Sequence, residues 1–460
     1  MSPFKRKVLL LGLLLTLIIA FPVLAQTVQA DDGTTLMQII IFGRHSIRSS
    51  TVEPTTLATY SANTYPPFFG VPTGYLTPHG REAARLMGSY FHDYLLHEGL
   101  LTGRTSTDLS RSYFRANSIQ RSNVTASMFG EGLIPSATIP VHSYSLNDPS
   151  TNKPVPDPVF DPVEAKVATV NADRAKNEVL GIYGCGAALA SAYSGELSLI
   201  RDVLSPPGPV DPTSQTSNPF TLTAYAPITN AGGSIDTGGL GLTNSATDPF
   251  VMQYADNFPP EDVAWGKLSL DTLSQTTRTI NLQINIEMRL PYVARVQSSN
   301  AASHVLRSMF QSVSGSNLRG AFGDHTSRVL VIISSDYYVA GLAGLLQAHW
   351  TLPGYQPDYC APGGALVFEL RQSKKTQEYL VRVFYTAQRF DQLRNLTPLT
   401  LDEPPATMQL AIPGGSNSAT ILDVKFATFK KLLKEAIGEK YVQPFGEDHP
   451  PPVIHDVPWD

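Results

Sequence analysis

An apolar run at residues 36–42 (LMQIIIF) is the feature that most constrains the fold. A run of this kind predicts a strand buried on both faces of a sheet. It ends abruptly in GRHSIR, which puts Arg44, His45 and Arg48 at a strand's carboxyl end, where open α/β sheets bind ligands. Two guanidinium groups beside an imidazole indicate an anion pocket containing a nucleophile or base, with a phosphate or carboxylate as the ligand. The alternative is a surface loop in which both arginines are solvated.

Length and charge narrow the class of protein. With 460 residues, of which 42% are hydrophobic and 16% charged, the chain can bury a sizeable core in two or three domains, or in one large domain with an insertion. A net charge of −5 and an isoelectric point near 6.1 give no electrostatic reason to expect a nucleic acid partner. Any anion site must be a local concentration of arginine.

Residues 1–25 have the pattern of a signal peptide, with a basic stretch, an apolar segment and a VLA cleavage site before Gln26. We therefore expect a periplasmic or secreted protein with no membrane attachment after cleavage. An uncleaved signal anchor is the alternative, although the apolar segment is short for a membrane span. Cys185 and Cys360 allow at most one intramolecular disulfide, and the sequence leaves their pairing open.

Several later segments have helical periodicity. Thr77 is the predicted cap of a helix that has Pro78 at its first position and ends at Gly99. Arg121 lies near the start of another predicted helix, where it adds a donor to any anion held there. Residues 205–248 are rich in Pro, Gly, Ser, Thr and Asn, so we expect a poorly ordered loop or lid.

A second apolar run at residues 328–335 (RVLVIISS) repeats the pattern of the first and is followed by Asp336 and a helical segment. If the two strands are neighbours, Asp336 lies at the same sheet edge as His45 and offers a carboxyl group for proton transfer. The alternative is that Asp336 caps the following helix.

Five motifs in order resemble the histidine acid phosphatase family, the branch of histidine phosphatases that includes bacterial phytases and glucose-1-phosphatases. They are RHSIRSS, LTPHGREAARLMGSYF, IQRSNVTASMF, SSDYYVAGLAGLL and HWTLPGYQPDYCAPGGALVFEL, within residues 37–440. The resemblance implies an α/β three-layer sandwich with a central mixed sheet and a mostly helical cap domain. It also implies hydrolysis of phosphate monoesters such as phytate or sugar phosphates, at acidic pH, through a phosphohistidine intermediate. No cofactor or metal is implied, because arginines supply the positive charge.

The resemblance also implies roles for individual residues. His45 matches the family's nucleophile, and Asp336 matches its proton donor. The positions of the phosphate-binding side chains are occupied by Arg44, Arg48, Arg121 and Ser335.

Several positions depart from the family's pattern. Ser335 replaces the second phosphate-binding histidine, and losing one preorganised donor typically costs on the order of 10²–10³ in rate. Ser46 replaces a glycine and is strained if its φ is positive. Tyr337 and Tyr338 are expected to narrow the pocket or to stack on a substrate. These changes raise an alternative function, a weak or inactive pseudophosphatase that binds phosphorylated ligands.

The predicted domain organisation is discontinuous. Residues 26–150 and 266–445 form the α/β catalytic domain, and residues 151–265 form the helical cap with the flexible loop 205–248. Residues 446–460 are expected to be a disordered tail, so its His455-Asp456 dipeptide is not expected to take part in catalysis.

Overall fold

The computed structural model describes residues 32–144, 156–226, 234–416, 418, 421–444 and 453–454, so the predicted signal peptide lies outside the described residues. The strands are β1 Thr34–Arg44, β2 Ser112–Ala116, β3 Val141–His142, β4 Thr223–Ala226, β5 Ser234–Asp236, β6 Val329–Ser334, β7 Ala365–Ser373, β8 Tyr379–Ala387, β9 Ala406–Gln409, β10 Val424–Lys425 and β11 Val453–Ile454.

The α-helices are α1 Pro54–Leu57, α2 Pro78–His97, α3 Thr105–Ser110, α4 Gln120–Leu133, α5 Ala172–Tyr183, α6 Gly186–Ala192, α7 Ser194–Leu204, α8 Gly239–Ala255, α9 Leu270–Ile284, α10 Pro291–Ser314, α11 Asp336–Leu345, α12 Phe390–Asn395 and α13 Phe426–Ala436. A π-helix, Asn285–Arg289, continues α9, and 3₁₀ turns lie at Val263–Gly266 and Glu439–Tyr441.

The main sheet is mixed and is built around β1. Its order is β10-β8-β7-β1-β6-β2-β3-β11, with β9 paired to β8. Strand β6 lies parallel to both β1 and β2, and β2 lies parallel to β3, whereas β7 and β8 extend the sheet as an antiparallel hairpin. The two apolar runs of the sequence therefore form adjacent central strands.

The alternation of side chains along β1 explains why almost every position of its run is apolar. Ile39 and Ile41 point to one face and pack with Phe91 of α2 and Phe129 of α4. Ile40 and Phe42 point to the other face, into a core that includes residues of α10, α11 and α13. Both faces are covered by helices, which is the three-layer α/β arrangement expected from the sequence.

Local signals in the sequence explain how α2 begins and ends. The Thr77 hydroxyl accepts a hydrogen bond from the Gly80 amide, and Pro78 occupies the first helical position, both as predicted. The last turn closes at His97, and Gly99 follows with a φ of 72°.

Two predictions of irregular structure are wrong in part. Residues 239–248 were expected to be loop but belong to α8, whose residues include the buried Leu240, Phe250, Val251 and Met252. Residues 227–233 of the same predicted loop lie outside the described residues. In the predicted disordered tail, Val453–Ile454 form a short strand beside β3, and the rest of residues 446–460 lies outside the described residues.

The segment predicted to be the cap, residues 151–265, contains helices α5 to α8 and the β4–β5 hairpin, and is called the cap region below. Cys185 is exposed and Cys360 is buried, and both are free thiols. Among the described residues, the helices are too short or too polar for any of them to cross a membrane.

Candidate active site

Strand register brings the predicted catalytic residues to one edge of the sheet. Arg44, the last residue of β1, pairs with Ser334, the last residue of β6. The His45 amide then donates to the Ser334 carbonyl at 2.8 Å. His45 therefore lies beside Ser335 and Asp336, although almost 300 residues of chain separate them.

A cavity of about 600 Å³ opens at this edge. Its wall contains five of the six predicted site residues, namely His45, Arg48, Arg121, Ser335 and Asp336. The loop 49–73 and helices α8 and α9 supply the other sides. Such a volume suits a small organic ligand.

The His45 ring is fixed in one tautomer. Its Nδ1 lies 2.9 Å from the Ser46 carbonyl oxygen, which can only accept a hydrogen bond. Nδ1 therefore carries the proton, and Nε2 has a free lone pair. This is the form of histidine that acts as a nucleophile.

Burial and neighbouring charges keep this imidazole neutral. Desolvation lowers the pKa of His45 well below its usual value, and the positive charges of Arg121, Arg44 and Arg48 lower it further. The same crowding acts on Arg121, whose pKa is lowered by burial and by Arg48. A bound anion would offset the repulsion that Arg121 experiences, so the site favours one.

Arg48 is held by an acid from the cap region. Its guanidinium makes two hydrogen bonds to the Asp248 carboxylate of α8, at 2.9 and 3.2 Å. Arg121 donates to the Gly74 carbonyl at 3.2 Å, and its Nε has no partner in the described structure. The ion pair thus joins the loop after β1 to the cap, while Arg121 keeps donors for a ligand.

Arg44 lies outside the cavity wall and is 2% exposed. One guanidinium nitrogen lies 3.0 Å from the Asp336 carboxylate, and another donates to the Cys360 carbonyl at 2.6 Å. Arg44 therefore fixes the orientation of Asp336 and adds positive charge from behind it. The alternative, that Asp336 caps the following helix, is wrong in its position: Ser335 precedes α11 without a side-chain capping bond, and Asp336 is the first residue of the helix.

Two helices begin at the cavity, α11 after Ser335 and α4 after Ile119, and neither preceding residue makes a side-chain capping bond. In the first turn of α11 the Asp336 carboxylate accepts a hydrogen bond from the Tyr337 amide at 3.2 Å. The N-terminal end of a helix favours anions through its dipole. Both helices therefore add to the attraction that the arginines exert.

Three further expectations are resolved by the geometry. Ser46 does not have a positive φ, so the predicted backbone strain is absent. Tyr337 lines the cavity and hydrogen-bonds to Glu287 of the π-helix. Tyr338 points away into the core, where its hydroxyl donates to Asp161, so its predicted place in the pocket is wrong.

The sequence interpretation missed Asp248 and Glu287. Asp248 lies in a segment whose Gly, Ser, Thr and Pro content resembles a loop, and Pro249 interrupts the helical pattern. The spacing of Leu240, Phe250 and Val251 was the available signal for a helix there.

Within the described part of the chain, no group of three or more His, Cys, Asp or Glu side chains is placed to hold a metal ion. The expectation that the reaction needs no metal or cofactor stays a prediction.

Comparison with known proteins finds relatives named as phytases and phosphatases. Phytase AppA of Escherichia coli is 26% identical over 417 residues, covering 89% of this chain and 93% of that protein. The glucose-1-phosphatase of Providencia rettgeri is 27% identical over 422 residues, covering 89% and 94%. No protein-family profile matches the chain.

Solved phytase structures share the fold. The Hafnia alvei phytase in complex with tartrate has a TM-score of 0.79 at 26% identity, covering 90% of this chain and 100% of that chain. The Citrobacter braakii phytase has a TM-score of 0.78 at 25% identity, covering 89% and 99%. These similarities confirm the resemblance to histidine acid phosphatases and the predicted fold class, and the related proteins are phosphoric monoester hydrolases.

Proposed function

We propose that this chain, a relative of bacterial phytases and glucose-1-phosphatases, hydrolyses phosphate monoesters through a phosphohistidine formed on His45. The observation that carries the proposal is the state of the His45 ring. A neutral imidazole with a free Nε2 lies in a cavity whose wall also holds two arginines and a carboxyl group. That combination suits nucleophilic attack on a bound phosphate.

The first step forms the intermediate. The Nε2 lone pair attacks phosphorus, the bond from phosphorus to the ester oxygen breaks, and Asp336 gives its proton to the departing alkoxide. Arg48 and Arg121 bind the non-bridging oxygens, and Arg44 acts from behind Asp336.

The second step regenerates the enzyme. The Asp336 carboxylate takes a proton from a water molecule, the water oxygen attacks phosphorus, and the phosphorus–nitrogen bond breaks. Inorganic phosphate leaves, and His45 and Asp336 return to their starting states.

The proposal includes an acidic working range and export. A carboxyl group can donate a proton only where it is protonated, which for aspartates in general means acidic pH. The lowered pKa of His45 is compatible with that range, because the imidazole stays unprotonated there. Export rests on the signal-peptide pattern of residues 1–25.

The test is to trap the intermediate in the processed protein. Mixing with a ³²P-labelled aryl phosphate, followed by alkaline denaturation, should leave label on His45 at Nε2, identified by mass spectrometry and ³¹P NMR. His45→Ala should abolish both the label and turnover across about pH 3 to 8, the range that brackets the carboxyl and imidazole groups. His325→Ala, which alters an exposed histidine at the opposite end of β6, is the control. Turnover that survives in His45→Ala would refute the mechanism.

The alternative, a pseudophosphatase that binds phosphorylated ligands, is favoured by Ser335. This residue lies in the cavity wall, where the family's pattern has a histidine, and a serine supplies no positive charge. Tight binding of inorganic phosphate without hydrolysis of any monoester would support the alternative and would contradict the enzyme proposal.

A further inference from the structure

A second cavity lies beside the arginine-lined one and shares Val52 and Thr73 with its wall. Its volume is about 160 Å³. The wall is mostly apolar and includes Pro54, Leu57, Tyr65, Phe68, Val71 and Pro249. Among the described residues, no charged side chain lines this cavity, whereas Arg48, Arg121 and Asp336 line the first one.

Chain connectivity keeps the second cavity near Arg48. Val52 follows Arg48 by four residues, which span at most about 14 Å even when fully extended. On the opposite side, α8 presents Asp248 to Arg48, and the next residue, Pro249, lines the second cavity. The two cavities are therefore neighbours, with Val52 and Thr73 in both walls.

The size and the wall of the second cavity suit one aromatic ring. An apolar cavity of about 150 Å³ is large enough to hold benzene. The Tyr65 ring is fixed, because its hydroxyl donates to the Ala246 carbonyl at 3.0 Å and its face stacks on Phe250 at 5.4 Å. Phe68 is held by Phe258 at 4.9 Å. The aromatic part of the wall is formed before any ligand binds.

Gln253 adds an unmet hydrogen-bond acceptor to this wall. Its side chain is fully buried, and its Nε2 donates to the Pro66 carbonyl at 3.0 Å. Because a carbonyl can only accept, this bond fixes which end of the amide is nitrogen. The remaining oxygen, Oε1, has no partner in the described structure. A hydroxyl or amine on a bound ring can satisfy it.

We propose that the second cavity binds the leaving group of the substrate, and that this group is a single aromatic ring bearing a hydrogen-bond donor for Gln253. The inference rests on the proposed function, since it names the class of monoester that the arginine-lined cavity acts on. The second cavity would favour aryl phosphates over phosphorylated sugars and inositols, because their polar rings do not suit an apolar wall.

Binding of non-hydrolysable phosphonates tests the inference without requiring turnover. Calorimetry on the processed protein should give phenylphosphonate an affinity at least about tenfold higher than methylphosphonate, because the ring buries apolar area. Equal affinities would overturn the inference. Failure of the proposed function would show separately, as phosphonate binding without hydrolysis of phenyl phosphate.

A variant that fills the second cavity tests whether the preference for phenylphosphonate arises there. Val71→Phe should remove the preference for phenylphosphonate and leave methylphosphonate affinity within about twofold, because Val71 lines only the second cavity. Ile421→Phe, at a site that is 58% exposed and lines neither cavity, is the matched control. Equal loss of both affinities would place the ring elsewhere.

The donor is tested at Gln253. At least one of the three hydroxyphenylphosphonates should bind about fivefold or more tightly than phenylphosphonate in the parent, as expected for one added hydrogen bond. Gln253→Met keeps the side-chain length but lacks the acceptor, and it should abolish that gain while keeping the preference for the ring. The same gain in both proteins would overturn the assignment of Gln253.

Discussion

The imidazole of His45 is anchored at Nδ1 and free at Nε2, and its surroundings determine both its charge and its chemistry. Desolvation and the neighbouring arginines disfavour the protonated ring, so the lowered pKa has a physical source that can be tested residue by residue.

Removing a neighbouring positive charge should raise the pKa of His45. In Arg121→Met the ring loses the largest of its charge repulsions, so its NMR titration midpoint should move to higher pH. The parent ring should stay unprotonated well below pH 6.5, the ordinary value for histidine. Arg104→Met, which changes an exposed arginine outside the cavity, is the control. An unchanged midpoint in Arg121→Met would contradict the electrostatic account.

Restoring a cationic donor at position 335 should accelerate turnover. The Ser335 hydroxyl makes no capping bond, so Ser335→His removes no helix cap while adding a donor at the cavity wall. We expect kcat to rise by about tenfold or more, since one preorganised donor is typically worth on the order of 10²–10³ in rate. Steady-state kinetics against Ser335→Gln, which donates without charge, separates the charge from the hydrogen bond. A slower Ser335→His enzyme would mean that the pocket has no room for the ring.

At the scale of elements, the ion pair between Arg48 and Asp248 connects the loop after β1 to α8. The pair is bidentate, with the Arg48 side chain 8% and the Asp248 side chain 20% exposed. It competes with any anion for the same guanidinium.

Asp248→Asn should therefore bind inorganic phosphate more tightly, by up to about tenfold, since a negative charge is removed and Arg48 is released. Competitive inhibition or calorimetry measures the change, and Asp202→Asn, which changes an exposed residue of α7, is the control. Weaker phosphate binding would instead show that Asp248 orients Arg48 for the ligand.

The elements that the sequence predicted best are those with a local signal. Residues 36–42 and 329–333 are mostly apolar because both faces of β1 and β6 are covered, and Thr77 and Pro78 mark the start of α2. Helix α8 was missed because Pro249 and the small polar residues around it are atypical of helices.

Contacts between residues far apart in the chain could not be predicted from the local sequence pattern. Arg48 and Asp248 are 200 residues apart, and the pairing of Tyr338 with Asp161 depends on how α11 packs on the core. His45 and Asp336 lie at one sheet edge, as the sequence suggested, because each follows the end of a central strand, whereas the direction of Tyr338 is set by tertiary packing.

For the whole molecule, buried titratable groups act on stability in opposite directions at acidic pH. Burial raises the pKa of Asp161 to about 7 and lowers the pKa of His304 to about 3. The folded state thus binds more protons than the unfolded chain at Asp161 and fewer at His304. Between about pH 4 and pH 6.5, rising pH lowers stability through Asp161 and raises it through His304.

Asp161→Asn should reveal how much Asp161 contributes to the pH dependence of stability. The parent loses stability through Asp161 as pH rises from about 4 to 7, and asparagine does not titrate, so the variant should gain relative to the parent by about 1.4 kcal/mol per pH unit in that window. Urea unfolding at a series of pH values measures the difference. Asp202→Asn, which changes an exposed carboxyl group, should show no such slope. A parallel pair of stability curves for the parent and Asp161→Asn would contradict the assigned pKa.

The position of β6 between β1 and β2 has a consequence for how the chain acquires its fold. The two early strands, ending at residues 44 and 116, do not pair with each other, because the strand between them comes from residues 329–334. A nascent chain that lacks β6 would present two unpaired apolar strand edges, which are prone to aggregate. Productive folding of the sheet must therefore wait for the last third of the sequence.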